Sequence, residues 1–268
     1  MHALLPLAAA LLLTACATPA ARFAETAAAR GLVRTDVPGL GFTHAVFARA
    51  APAPTADALH LYLEGDGTPW LGPGRIAADP TPREPLALEL LARDPAPALL
   101  LGRPCYHAHA MPAACTPEVW THARYGEAVI ASLAAAAGTL LARTPRADVT
   151  LIGYSGGGAL AVLLAPRLPR VRHVVTIAAN LDVAAWSAHH DYSPLAGSRD
   201  PATLPPLPKR IRQVHLVGAD DTQVPRALVA RYLVRQPWAT VRELAGFDHH
   251  CCWTASWPRL LEDALDAR

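Results

Sequence analysis

At 268 residues and 52% hydrophobic, the chain has the length for one large α/β domain or two small ones and the apolar content for a sizeable core. A formal net charge of +2, with no long basic run, argues against nucleic acid as a partner. No internal period of about 20–50 residues marks a repeat architecture.

Residues 4–13 are almost wholly apolar and end in Leu13-Thr14-Ala15-Cys16. A run this short is a targeting segment, not a mature membrane-spanning helix. Its ending resembles the lipobox of bacterial lipoproteins. The resemblance implies a signal peptide over residues 1–15, lipidation of Cys16, a tether over residues 16–30 and a single domain over residues 31–268. Ala17 stands where lipoproteins kept at the inner membrane carry aspartate, which implies the outer membrane of the cell envelope.

Within residues 31–50 the pattern predicts two short strands, the better one over 42–49, broken by Val37-Pro38-Gly39. Residues 58–63 read as a buried strand running into Glu64-Gly65-Asp66-Gly67. A Pro- and Gly-rich loop (68–85), a short helix (86–93) and a strand (98–101) follow. After the loop 102–116, Thr116 as N-cap, Pro117 at the first position and high alanine content predict a long helix over 117–143. A strand over 148–153 and a helix over 156–167 come next, then a β-branched strand over 171–178. Residues 180–208 carry many prolines and are too long for a routine connection, which marks them as a lid-like insertion. Strands over 211–217 and 239–244 and helices over 226–235 and 256–267 complete the chain. Alternation of strand and helix predicts a mostly parallel sheet with helices on both faces, and function at the carboxyl ends of its strands.

The sequence Gly153-Tyr154-Ser155-Gly156-Gly157 lies between the strand 148–153 and its helix. G-x-S-x-G in that setting is the pattern of a nucleophile elbow, where tight turning leaves room only for small neighbours. A serine hydroxyl needs a base within hydrogen-bond reach and a third group to orient that base. Downstream, Gly218-Ala219-Asp220-Asp221-Thr222-Gln223-Val224-Pro225 follows one strand, and Gly246-Phe247-Asp248-His249 follows the last. Together with Glu64-Gly65-Asp66-Gly67, these stretches resemble the α/β-hydrolases in order and spacing. The resemblance implies an α/β-hydrolase fold and a serine hydrolase cleaving small-molecule carboxylic esters; the alternatives are a peptidase or thioesterase with the same triad, or a non-catalytic binding lipoprotein on the same fold. It implies Ser155 as nucleophile, Asp221 as acid and His249 as base. Asp220 and Asp182 are the alternative acids, and His250 is the alternative base. It also implies an oxyanion hole built from the N–H groups of Gly156 and Asp66, with the Glu64 and Asp66 carboxylates turned away. Such a mechanism requires no cofactor, and a monomer is expected.

Four cysteines lie beyond Cys16, and export favours disulfides. A Cys105–Cys115 bridge is the preferred pairing; Cys251 and Cys252 are adjacent and either bridge or remain thiols. Neither Cys105-Tyr106-His107-Ala108-His109 with Cys115 nor His249-His250-Cys251-Cys252 has a standard zinc spacing, so no metal is expected. Leu181, Trp186, Tyr192 and Leu195 of the insertion are candidates for an acyl pocket or for the insertion's own packing. Trp70, Trp120, Trp253 and Trp257 are equally candidates for core or substrate contact.

Overall fold

The computed structural model describes residues 17–49, 54–108 and 111–266. The proposed signal peptide, the lipidation site Cys16 and His109 lie outside the described residues. Eight strands form one sheet: β1 (Val33–Pro38), β2 (Thr43–Ala48), β3 (Ala58–Leu63), β4 (Ala98–Leu101), β5 (Asp148–Tyr154), β6 (Val171–Ile177), β7 (Arg212–Gly218) and β8 (Ala239–Leu244). Their order is β1-β2-β4-β3-β5-β6-β7-β8. The β1–β2 and β2–β4 pairs are antiparallel, and every pair from β4–β3 through β7–β8 is parallel.

The helices are α1 (Pro19–Ala29), α2 (Leu86–Leu91), α3 (Glu127–Ala142), α4 (Gly156–Leu164), α5 (Val183–His189), α6 (Ala230–Val234), α7 (Trp253–Ser256) and α8 (Arg259–Leu265). They cover both faces, so the central strands are buried on both sides and read as near-continuous apolar runs. The period of two remains visible in how they divide. Leu59, Leu61 and Leu63 of β3 and Val149 and Leu151 of β5 join the core with α3 and α4. Tyr62 and Ile152 join the opposite core with α1, α2, α7 and α8. Among the described residues no helix is long and apolar enough to cross a membrane.

Three sequence expectations change here. The stretch expected as a tether contains α1, capped by the Thr18 side chain, with Phe23 and Ala27 buried. An alanine-rich stretch with apolar residues four apart is an amphipathic helix once a surface receives it, and the aromatic ring of Phe47 lies against Phe23. The helix expected over 117–143 begins only at Glu127; Pro117–Trp120 is a single 3₁₀ turn. Gly126 is extended, and the Arg124 carbonyl is taken by the Arg103 guanidinium at 2.8 Å, so neither is available to a continuing helix. The segment 180–208 is not structureless: it contains α5 and a 3₁₀ turn, Pro201–Thr203, and buries Leu181, Val183, Leu195 and Leu207.

Candidate active site

Ser155 follows β5 directly and is the residue before α4. Its backbone is left-handed, with φ 51° and ψ −122°, a conformation a non-glycine residue holds only under constraint from its surroundings. That constraint explains the flanking glycines. A Cβ on Gly153 would collide with the Gly157 carbonyl, and one on Gly157 with the Leu63 carbonyl of β3. The turn is held by Ser155 N–H donating to the Ile177 carbonyl at 2.9 Å.

The loop after β8 brings His249 to this serine. His249 Nε2 is 3.1 Å from Ser155 Oγ, and His249 Nδ1 is 2.9 Å from Asp221 Oδ2. Asp221 sits in the turn after β7, its other oxygen accepting the N–H groups of Gln223 and Val224 at 2.8 Å each. Burial pushes the Asp221 carboxyl up, but the imidazole and these two amides outweigh it and hold the group below its ordinary value. An ionised Asp221 only accepts, so Nδ1 carries the hydrogen and Nε2 is left to receive the serine proton. The loop itself is fastened by Asp248, whose carboxylate accepts the His250 and Cys251 N–H groups, and by Trp253, whose indole donates to the Asp248 carbonyl.

The alternatives fall elsewhere. Asp220 is exposed and contributes its backbone N–H to the Phe247 carbonyl. Asp182 is not brought to His249: it caps α5 through the Ala185 N–H and is paired with Arg231 at 2.5 Å. Its place after β6 made it a candidate, but the guanidinium turns it toward α6. The His250 ring lies 3.2 Å from the Tyr154 hydroxyl and 3.7 Å from Glu84.

The loop after β3 lies beside the elbow. Gly156 opens α4, so its N–H has no partner inside the helix. The Asp66 N–H donates to no acceptor among the described residues. Of the two carboxylates expected to turn away, Glu64 does, but Asp66 does not: a Cβ on Gly156 would meet its Oδ1, so it lies against the start of α4, where its cationic partners neutralise it. Glu64 is buried and accepts the N–H groups of Ala87 and Leu88 at the start of α2. Burial pushes it up to about 7, against the partial relief of those amides. Asp66 is received by Arg103 at 2.5 Å, Arg124 at 2.8 Å and the Tyr125 hydroxyl at 2.7 Å. Burial alone would raise it, but the two guanidiniums and the phenol hold it far below the carboxylate range. Its carbonyl accepts the Tyr106 hydroxyl at 2.8 Å. Sequence reading missed Arg103, Tyr106, Arg124 and Tyr125, which stand 37 to 59 residues from Asp66 with no motif linking them.

Ser155 and His249 open into a cleft of about 1190 Å³. Trp186, Tyr192 and Leu195 of the 180–208 segment line it, and so does Trp70. Leu181 belongs to the core instead, as do Trp120, Trp253 and Trp257. Cys105 is bridged to Cys115, as preferred from the sequence, and Cys251 to Cys252. All four thiols raised as zinc ligands are thereby engaged.

No protein-family model matches the sequence, and no curated protein matches it. Solved structures do. A Pyrococcus furiosus esterase is 14% identical over 89% of this chain and 92% of its own, with a TM-score of 0.60. A Xanthomonas campestris serine hydrolase described as having no lid is 14% identical over 88% of this chain and 96% of its own, at 0.56. A Mycobacterium tuberculosis puromycin-hydrolysing peptidase is 17% identical over 81% of this chain, which spans only 36% of that longer protein, also at 0.56. The strand order, the antiparallel β2 and these likenesses define the class: the chain has the α/β-hydrolase fold.

Proposed function

We propose that this protein is a serine hydrolase that cleaves carboxylic esters through an acyl-enzyme on Ser155. The observation that carries the reading is the hydrogen-bonded chain Ser155–His249–Asp221, assembled from three separate loops at the carboxyl ends of β5, β7 and β8. His249 Nε2 takes the Ser155 proton as Oγ attacks the ester carbonyl. The developing oxyanion is received by the N–H groups of Gly156 and Asp66. The imidazolium, stabilised by Asp221, then protonates the leaving alcohol. A water deprotonated by His249 attacks the acyl-enzyme, and the acid leaves with Ser155 restored. The esterase and serine hydrolase among the structural neighbours support this chemistry, and the lipobox-like Leu13-Thr14-Ala15-Cys16 supports placing it at a membrane of the cell envelope.

The test is labelling by a fluorophosphonate, together with turnover of p-nitrophenyl esters, thioesters and aminoacyl amides. Labelling of the folded wild type, lost in Ser155→Ala, with esters the fastest series, is expected. An unlabelled folded wild type that cleaves no ester overturns the reading.

A further inference from the structure

The 1190 Å³ cleft is bordered by a feature that neither the fold nor the triad requires. Between β3 and α2 the chain forms a small hairpin. Trp70 bridges Ile76, and the Ala77 N–H donates to the Pro69 carbonyl and the Leu71 N–H to that of Arg75. Every residue from 70 to 76 is exposed. Trp70, Leu71 and Ile76 show 36%, 36% and 38% of their surfaces, so three large apolar side chains are presented to solvent within seven residues. A soluble surface rarely concentrates them so, and Trp beside aliphatic residues is the composition of a membrane interface.

The position of the N-terminal helix says what lies against this hairpin. Thr68 N–H donates to the Pro80 carbonyl, and Asp79 accepts the Ala20 N–H at 2.9 Å, so the hairpin base and the start of α1 share one short connector. Pro82 and Arg83 line both the cleft and the depression beside Ala17 and Pro19. Ala17, one residue along the chain from Cys16, therefore lines a depression that adjoins the cleft. The charges of the connector itself balance: between residues 68 and 85, Arg75 and Arg83 are set against Asp79 and Glu84. A neutral connector with an apolar tip fits insertion among lipid headgroups, not electrostatic capture by an anionic surface.

We infer that the hairpin 70–76 inserts into a lipid surface, the one that the lipidation of Cys16 expected from the sequence would supply, so that the cleft opens onto the bilayer and takes its esters from that membrane. The hairpin and the attachment point then form two contacts on one side of the molecule and fix its orientation. The substrate class follows: acyl esters resident in the bilayer, delivered past Trp70. This substrate assignment rests on the hydrolase reading; the docking itself does not.

Two measurements test it with the full-length chain incorporated into phosphatidylcholine vesicles. In vesicles with brominated acyl chains, tryptophan emission is quenched, and the Trp70→Phe variant loses that quenching, with no dependence on added anionic lipid. Separately, Leu71→Ser with Ile76→Ser slows hydrolysis of a vesicle-borne acyl ester about tenfold, the scale of withdrawing part of two aliphatic side chains from lipid. Hydrolysis of p-nitrophenyl acetate stays as in the wild type. Quenching unchanged in Trp70→Phe overturns the docking, and so does equal slowing on both substrates, which would make the hairpin a support for the cleft. A wild type that cleaves neither ester while Trp70 is quenched overturns the hydrolase reading and leaves the docking standing.

Discussion

Arg103 holds Asp66 from two sides: its Nη1 donates to the Asp66 carboxylate at 2.5 Å and to the carbonyl of the preceding Gly65 at 3.3 Å. One buried guanidinium thus fixes both the side chain and the backbone of the loop that lies against the elbow. A Cβ on Gly156 would strike this same carboxylate, so the loop and the start of α4 are in direct contact. With Arg124 as the second cation, Asp66 neutralises one of two buried positive charges. The Asp66→Asn variant keeps the shape and removes that charge. Breaking a buried pair from one side leaves uncompensated charge in the interior, and a loss on the order of 3–5 kcal/mol in urea unfolding is expected. A loss below about 1 kcal/mol would mean the arginines find other partners.

The assignment of the base to His249 over its neighbour is a geometric statement and has a kinetic counterpart. His249→Ala should lower kcat on a soluble ester by roughly 10⁴-fold or more, with fluorophosphonate labelling slowed in parallel. Asp221→Asn should fall comparably, because an amide in its place admits the wrong imidazole tautomer. His250→Ala removes contacts to Tyr154 and Glu84 and the edge-on packing of its ring against His249, but no hydrogen bond of the triad, and should keep most of the rate. Comparable losses from the two histidine variants would contradict the register.

Glu64 gives a pH signature. Its carboxyl keeps a proton in the folded state up to about pH 7, against an ordinary value of 4.5. Between those values the folded form binds the extra proton, so this group's contribution to stability is present below pH 4.5 and is lost as pH rises toward 7. The whole window is worth on the order of 3 kcal/mol. Buried His107 and His215 act oppositely. Burial lowers each to about 3, so the unfolded chain takes up protons first and their contribution is lost as pH falls from about 6.5. The measurement is therefore the difference between wild type and Glu64→Gln in thermal unfolding from pH 4.5 to 8. The variant should gain relative to wild type as pH rises and level off above 7. A difference that does not change with pH would show that Glu64 is ionised throughout.

The reach of the sequence can be followed residue by residue. Ser155, Asp221 and His249 were legible because each follows a strand and each local pattern answers a steric or capping demand of its own turn. Asp182 was a candidate acid for the same local reason, and only its pairing with Arg231, 49 residues on, shows that it is engaged away from His249. The Asp66 cluster was illegible because long-range ionic pairing leaves no period or spacing. Helix α3 was overextended because alanine propensity cannot register that Arg103 claims a backbone carbonyl at its proposed first turns. The apolar character of α1 was hidden in the reading of a tether, since burial of Phe23 depends on a surface formed by β2 and His107.

The Cys105–Cys115 bridge connects stability to the site. It closes a separation of ten residues, and Cys105, Tyr106 and Trp120 pack together as a small buried cluster. Loop-closure entropy for that length corresponds to about 2–3 kcal/mol. Tyr106 is one residue from the bridge and donates to the Asp66 carbonyl, while Trp120 donates to the Ala77 carbonyl at the base of the exposed hairpin. Loosening the loop therefore relaxes the Asp66 backbone as well as the fold. Cys105→Ser with Cys115→Ser should lower the urea-unfolding free energy by that amount. It should also reduce kcat on a soluble ester more than it raises KM, since the N–H of Asp66, as the proposed oxyanion donor, would act on the transition state. A variant that loses stability but retains full kcat would separate the bridge from the positioning of Asp66.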